Sequence, residues 1–141
     1  MIVHTDVVEV TTKTEFDFVD VTEALKEIVV KSKVHNGIVN VFLPGATGAI
    51  ILNQKEENLI KEYRAAIEAT VKDDLKDAHF GNAKSHARAF FLNQSLTIPI
   101  REKKIDIGVW QSIMLLELDT RPRTRRLSVT IIGSIKLQEE F

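Results

Sequence analysis

The chain has 141 residues, 44% of them hydrophobic and 28% charged, with a formal net charge of -1 at pH 7. This is one domain's length, with enough apolar material for a single core and no bulk field to attract nucleic acid or an anionic membrane. The absence of cysteine rules out disulfides, thiolate metal centres and a cysteine nucleophile, leaving His, Asp or Glu to hold any transition metal.

Met1–Asp6 lacks the basic and apolar regions of a signal peptide, and no apolar run approaches the roughly 20 residues of a membrane span, so the expectation is a soluble cytoplasmic protein. Residues 2–12 are rich in Val and Thr and 15–19 read Glu-Phe-Asp-Phe-Val; both favour the pleated, half-buried surface of strands, and together they predict an opening strand pair. Asp20 and Glu23 suggest a capping box, and Leu25, Ile28 and Val29 predict a helix over about 21–31. After the turn signal His35-Asn-Gly37, Ile38–Leu43 reads as an inner strand, and Gly48–Asn53 as another beyond the sharp connection Pro44–Gly48.

The fourfold spacing of Leu59, Tyr63, Ile67, Val71 and Leu75 predicts a long helix over about 56–75. Asn82 is placed to cap a further helix with Ala83, Ala87, Phe90 and Phe91 facing inward. From Ser95 the pattern is β: a hairpin turning at 101–103, a long strand over about 105–118 with Trp110 buried beside Gln111, an arginine-rich turn, and a final strand from Leu127 to about Leu137. Strands and helices mix without βαβ alternation. The expected fold is therefore α+β, one compact domain over 1–141, mainly antiparallel sheets with two to three helices.

Several groups could carry chemistry. His79 and His86 flank Gly81-Asn82, so a loop and a helical turn could bring both imidazoles to one cleft; zinc would need a further ligand such as Glu117. Two hydrogen-bonded or partly exposed histidines are the plain alternative. On a strand Glu117 and Asp119 share a face, suited to holding a divalent cation or, alternatively, to pairing with the arginines that follow. Arg121-Pro-Arg-Thr-Arg-Arg126 places four guanidinium groups in six residues; it can clamp a phosphate, form a solvated turn or lock subunits together. Pro44–Gly48 runs into a strand without Gly-Lys-Ser/Thr, which sets triphosphate hydrolysis aside, though Thr47 and the N–H groups of Gly45 and Gly48 can form a small anion nest.

Asn53, His79, Asn82, Ser85-His86, Ser95-Leu-Thr-Ile-Pro99, Gly108-Val-Trp-Gln111 and Glu117, spaced over Gly37–Gly133, resemble the YjbQ-like family, also described as secondary thiamine-phosphate synthases. The resemblance implies a compact α+β homotrimer with polar residues gathered in a cleft near a subunit boundary. It also implies weak coupling of a hydroxymethylpyrimidine diphosphate to a thiazole phosphate, releasing pyrophosphate. On that basis His86, Glu117 and Gln111 would be catalytic, and Thr47, Asn53, Arg88, Arg123 and Arg125 would hold substrate. His79, His86 and Glu117 would hold a divalent metal, Mg or Zn. Relatives often carry His-Thr-Thr or His-Thr-Ser where this chain has Ala46-Thr47-Gly48, and Glu at Gln54, so two plausible cation ligands are missing here. A non-catalytic small-ligand-binding trimer is the competing expectation. No membrane partner is expected, and a basic run without interleaved aromatics argues against RNA.

Overall fold

The computed structural model describes residues 1–73 and 81–135. In chain order the elements are β1 (Ile2–Thr11), β2 (Phe18–Asp20), α1 (Thr22–Ser32), β3 (Asn36–Phe42), β4 (Gly48–Asn53), α2 (Glu57–Thr70), α3 (Ala83–Phe90), β5 (Ser95–Arg101), β6 (Lys104–Ile105), β7 (Ser112–Glu117) and β8 (Thr124–Ser134). They form a five-stranded sheet, β1-β8-β3-β5-β6, and a three-stranded sheet, β2-β7-β4, with every pairing antiparallel. The α+β expectation holds.

The smaller sheet is buried on both faces. Ile113 and Leu115 of β7 point into a core shared with α1 and the inner face of the large sheet. Met114 and Leu116, with Leu118 beyond, point the other way, into a second cluster covered by Ile60, Tyr63 and Ile67 of α2 and by Ala89 of α3. This explains why β7 reads as a continuous apolar run rather than an alternating one.

Four expectations are corrected. The two opening segments do not pair: β1 lies beside β8 in the large sheet and β2 beside β7 in the small one. The single strand expected over 105–118 is two strands, β6 and β7, separated by a turn at Gly108–Gln111. Trp110 sits in that turn and is 72% exposed. The α2 helix ends at Thr70 because Val71 is extended; Leu75 and the end of the last expected strand, 136–137, lie outside the described residues.

The fourth correction concerns α3. It buries Ser85, Arg88 and Ala89, whereas Phe90 and Phe91, expected inside, are 82% and 65% exposed. The helix turns its polar stripe inward and its apolar stripe outward.

The large sheet leaves its outer face open. Val3, Ile132, Ile38 and Pro99 stand opposite one another across four strands, and all four are exposed. The β5–β6 hairpin turns through Glu102 and Lys103 at φ 50° and 67°, the type I′ geometry that Asn-Gly adopts without strain. Replacing the pair by Asn-Gly is expected to raise unfolding free energy by about 1–2 kcal/mol, read as a higher urea midpoint. The Lys103 N–H bond to the His35 carbonyl, 2.8 Å long, survives in glycine.

Candidate functional site

The polar centre lies where β7 ends against the Pro44–Gly48 connection. Antiparallel register sets Glu117 opposite Gly48, and the Leu118 N–H donates to the Thr47 carbonyl at 3.0 Å. Glu117 is fully buried, 0% exposed. Its Oε1 accepts from Thr12 Oγ1 at 2.8 Å and Arg125 Nε at 3.0 Å; its Oε2 accepts from Arg125 Nη2 and from the Asp119 N–H at 3.0 Å. Arg125 Nη2 also donates to Thr47 Oγ1 at 2.9 Å and the Thr47 carbonyl at 3.1 Å.

Beside this pair, Asp119 Oδ2 accepts from Arg123 Nε at 2.9 Å and Nη2 at 2.6 Å, and from Thr47 Oγ1 at 3.3 Å. Burial opposes ionisation of Asp119, but the Arg123 guanidinium, the Thr120 N–H and the Asn82 side chain together hold its pKa below the ordinary value. The two carboxylates thus share a site as expected, and the arginines that follow neutralise them. Of the remaining guanidinium groups in that run, Arg126 reaches Glu9 at 3.3 Å on the surface.

Every lone-pair direction of Glu117 is committed, which leaves it a brace for the Pro44–Gly48 loop rather than a free base or metal ligand. Arg88, expected to clamp phosphate, is 2% exposed. It donates through Nε to the Val71 carbonyl at 3.0 Å and through Nη1 to Glu15 at 3.3 Å, and lies 5.3 Å from the Phe16 ring centroid. It ties the end of α2 to α3. Phe16, at φ 60°, is held in this sparsely populated conformation by that cation, by Arg64 at 4.6 Å from the ring, and by its N–H bond to the Glu117 carbonyl.

His86 lies on α3 one turn past Asn82 and lines a concavity of about 350 Å³ with Gly45, Ala46, Phe90, Leu92 and Gln94. Close to it, Asn82 Oδ1 and Ser85 Oγ are buried with no hydrogen-bond partner among the described residues; each such orphan costs about 1–3 kcal/mol. Arg123 and Arg125 line a different concavity, about 490 Å³, with Pro44, Arg126 and Ser128. The Pro44–Gly48 loop stands between the two.

Asn53 and Gln111 are elsewhere. Asn53 pairs with Ser112, so both sit at the opposite end of β4 and β7, roughly 17 Å away at about 3.4 Å per residue. Gln111 is exposed, its Oε1 accepting from the Gly108 N–H at 2.7 Å. The structure therefore gathers Thr47, Asn82, Ser85, His86, Glu117, Asp119, Arg123 and Arg125 around one loop and separates Arg88, Asn53 and Gln111 from them. His79 lies outside the described residues. Among the described residues no group of three His, Asp or Glu that could hold a metal is found; with Glu117 committed to Arg125 and His79 outside those residues, His86 is the expected ligand that the described site retains. Thr12 was missed: it lies 105 residues from Glu117, and only the meeting of the ends of β1 and β7 brings the two together.

These features define a two-sheet α+β domain with a buried carboxylate–guanidinium brace behind a short glycine-bearing loop, and solved relatives share its fold. The family model described as UPF0047 protein YjbQ-like matches residues 6–134; the chain belongs to that family. A UPF0047 protein of Methanothermobacter thermautotrophicus is 36% identical over 136 residues, covering 94% of each chain. One from Archaeoglobus fulgidus is 32% identical, covering 86% of this chain and 97% of the relative. The crystal structure of a YbjQ-like protein of unknown function from Sulfolobus solfataricus superposes with a TM-score of 0.89 at 34% identity, covering 94% of this chain and 98% of that one. No helix among the described residues is long and apolar enough to cross a membrane.

Proposed function

We propose that the chain binds a small phosphorylated molecule at the Pro44–Gly48 loop, and that it is a weak thiamine-phosphate-synthase-like transferase working in the cytoplasm as a homotrimer. The observation that carries the binding half is the loop itself. Buried Arg125, and half-buried Arg123 through Asp119, fix it from one side, while His86 and the Asn82 and Ser85 oxygens that have no hydrogen-bond partner among the described residues approach from the other. A site braced this rigidly holds its donors in place without reorganising when charge develops on a departing pyrophosphate. Arg125 and Arg123, each neutralised by its carboxylate, hold the loop in shape; the loop N–H groups supply donors, and His86 is the described imidazole that lines the mouth, where it would exchange a proton.

Assaying the purified protein with the pyrimidine diphosphate, the thiazole phosphate and magnesium tests this reading. Thiamine phosphate should form, and His86→Ala should lower kcat by about 10²-fold or more; turnover unaffected by that substitution overturns the assignment of His86. A second reading, a binding protein without catalysis, is favoured by the commitment of Glu117 to Arg125 and by Ala46 and Gln54, where the family resemblance implies His and Glu in many members. Pyrophosphate binding by calorimetry, with no product in the assay, establishes that alternative. Magnesium or zinc remains part of the transferase reading only through His79 and His86, and elemental analysis of the purified protein checks it.

A further inference from the structure

Where α1 packs against β6 at the edge of the large sheet, a concavity of about 420 Å³ is lined by Lys26, Val30, Lys103, Lys104 and Ile105. Lys26 and Val30 are four apart on α1 and so share one helix face; the other three are consecutive on the β5–β6 hairpin. Buried Ile105 and exposed Val30 give the hollow an apolar lining, and three ammonium groups stand around it. Little negative charge answers them. Lys26 reaches Glu23 at 3.2 Å, but the two side chains are 52% and 83% exposed, so solvent screens the pair. Asp106 is taken by Arg101 at 2.7 Å, and among the described residues Lys103 and Lys104 have no carboxylate partner. The hairpin also carries Lys103 against its own preference. Its φ of 67° is a conformation that glycine adopts freely and lysine does not, and strain of this kind is kept where the side chain has a use.

We infer that this hollow binds a small phosphomonoester bearing an apolar group, its phosphate against Lys26, Lys103 and Lys104 and its apolar part on Val30 and Ile105. Lysine meets a phosphate as a point charge, whereas planar carboxylates are matched best by the forked guanidinium of arginine. An apolar lining with a few charged groups is the usual make-up of a small-molecule site, and the volume falls within the customary range of about 300–1,000 Å³. The hollow is distinct from the Pro44–Gly48 loop. The hairpin adjoins the start of β3, where the Lys103 N–H donates to the His35 carbonyl at 2.8 Å, while the loop follows the far end of that strand at Phe42. The length of β3 separates them by roughly 20 Å at about 3.4 Å per residue. Binding here does not depend on the loop site.

Titration of the isotope-labelled protein with phenyl phosphate, followed by amide NMR, tests this assignment. The signals of Val30 and Lys103–Ile105 should shift together, with an affinity that falls as sodium chloride is raised and exceeds that for inorganic phosphate. Lys103→Gly and Lys104→Gln should each weaken binding about fivefold. Because Lys103→Gly relieves the turn, its urea midpoint should stand at or above that of wild type, so its lost affinity is not a loss of fold. His86→Ala should leave the hairpin shifts unchanged. Shifts confined to the Pro44–Gly48 loop and α3, or an affinity indifferent to both lysine substitutions, overturn the assignment. Inorganic phosphate binding as tightly as phenyl phosphate overturns the ligand class, as does an acidic peptide that shifts the hairpin when phenyl phosphate does not. Hairpin shifts in a protein that binds no pyrophosphate at the loop would sink the proposed function and leave the lysine site standing.

Discussion

Replacing Glu117 by alanine is expected to destabilise the protein by about 3–5 kcal/mol, because it strands the Arg125 guanidinium, 8% exposed, without its counter-charge. Arg125 holds the carboxylate through two nitrogens and the Thr47 backbone through one of them, so the Pro44–Gly48 loop should loosen with it. Arg125→Met should cost a comparable amount, since it leaves a buried carboxylate with only Thr12 and the Asp119 N–H. The double substitution Glu117→Leu with Arg125→Met removes both charges. It should recover much of the loss, as buried ion pairs exchanged for apolar residues of similar volume often do. Urea unfolding at one fixed protein concentration separates these outcomes. A Glu117→Ala protein within about 1 kcal/mol of wild type would show that the pair is solvated, and the brace assigned to it would be wrong.

A second large effect is expected at the crossing of β3 and β8. Gly37 faces Gly133 in register, and a Cβ on Gly37 would lie 2.1 Å from the Ile132 carbonyl oxygen and 2.6 Å from Gly133 Cα. A Cβ on Gly133 would lie 2.3 Å from the Asn36 carbonyl oxygen. These neighbours are backbone, so neither rotamer change nor side-chain motion relieves the overlap, and the strands must part. Gly37→Ala should therefore cost at least the upper end of the roughly 1–3 kcal/mol typical of overpacking, and Gly133→Ala a similar amount. Because both substitutions open the same crossing, the double variant should lose less than the sum of the two. Additive losses would place the strain at two independent points and contradict a shared close approach.

Periodicity in the chain already carries much of the architecture. The Val/Thr run of β1, the apolar strands β3 and β4, the 21–31 helix and the turn at 101–103 are local patterns, and local hydrophobic spacing decides element type. Glu117 and Asp119 two apart on a strand, with arginines soon after, signal a shared carboxylate site, but the choice between a cation and the arginines was made by the structure. The spaced combination running from Asn53 through Ser85-His86 and Gly108-Val-Trp-Gln111 to Glu117 was enough to place the chain in its family.

Tertiary structure alone decided the rest, because it depends on contacts between segments distant in sequence. Whether 2–12 and 15–19 pair is settled by which strand offers a free edge; β8 takes the first and β7 the second. Apolar residues at helical spacing ordinarily mean a buried face, but α3 turns that face outward because Arg88 is needed inside, where it satisfies the Val71 carbonyl and Glu15. Spacing cannot register that demand. The separation of Gln111 from Glu117 follows from the length of β7, which carries residues close in sequence to opposite ends of a sheet. Thr12 and Glu117, far apart in the chain, become hydrogen-bonded neighbours because antiparallel pairing returns β8, and Arg123 with it, to the end of β1.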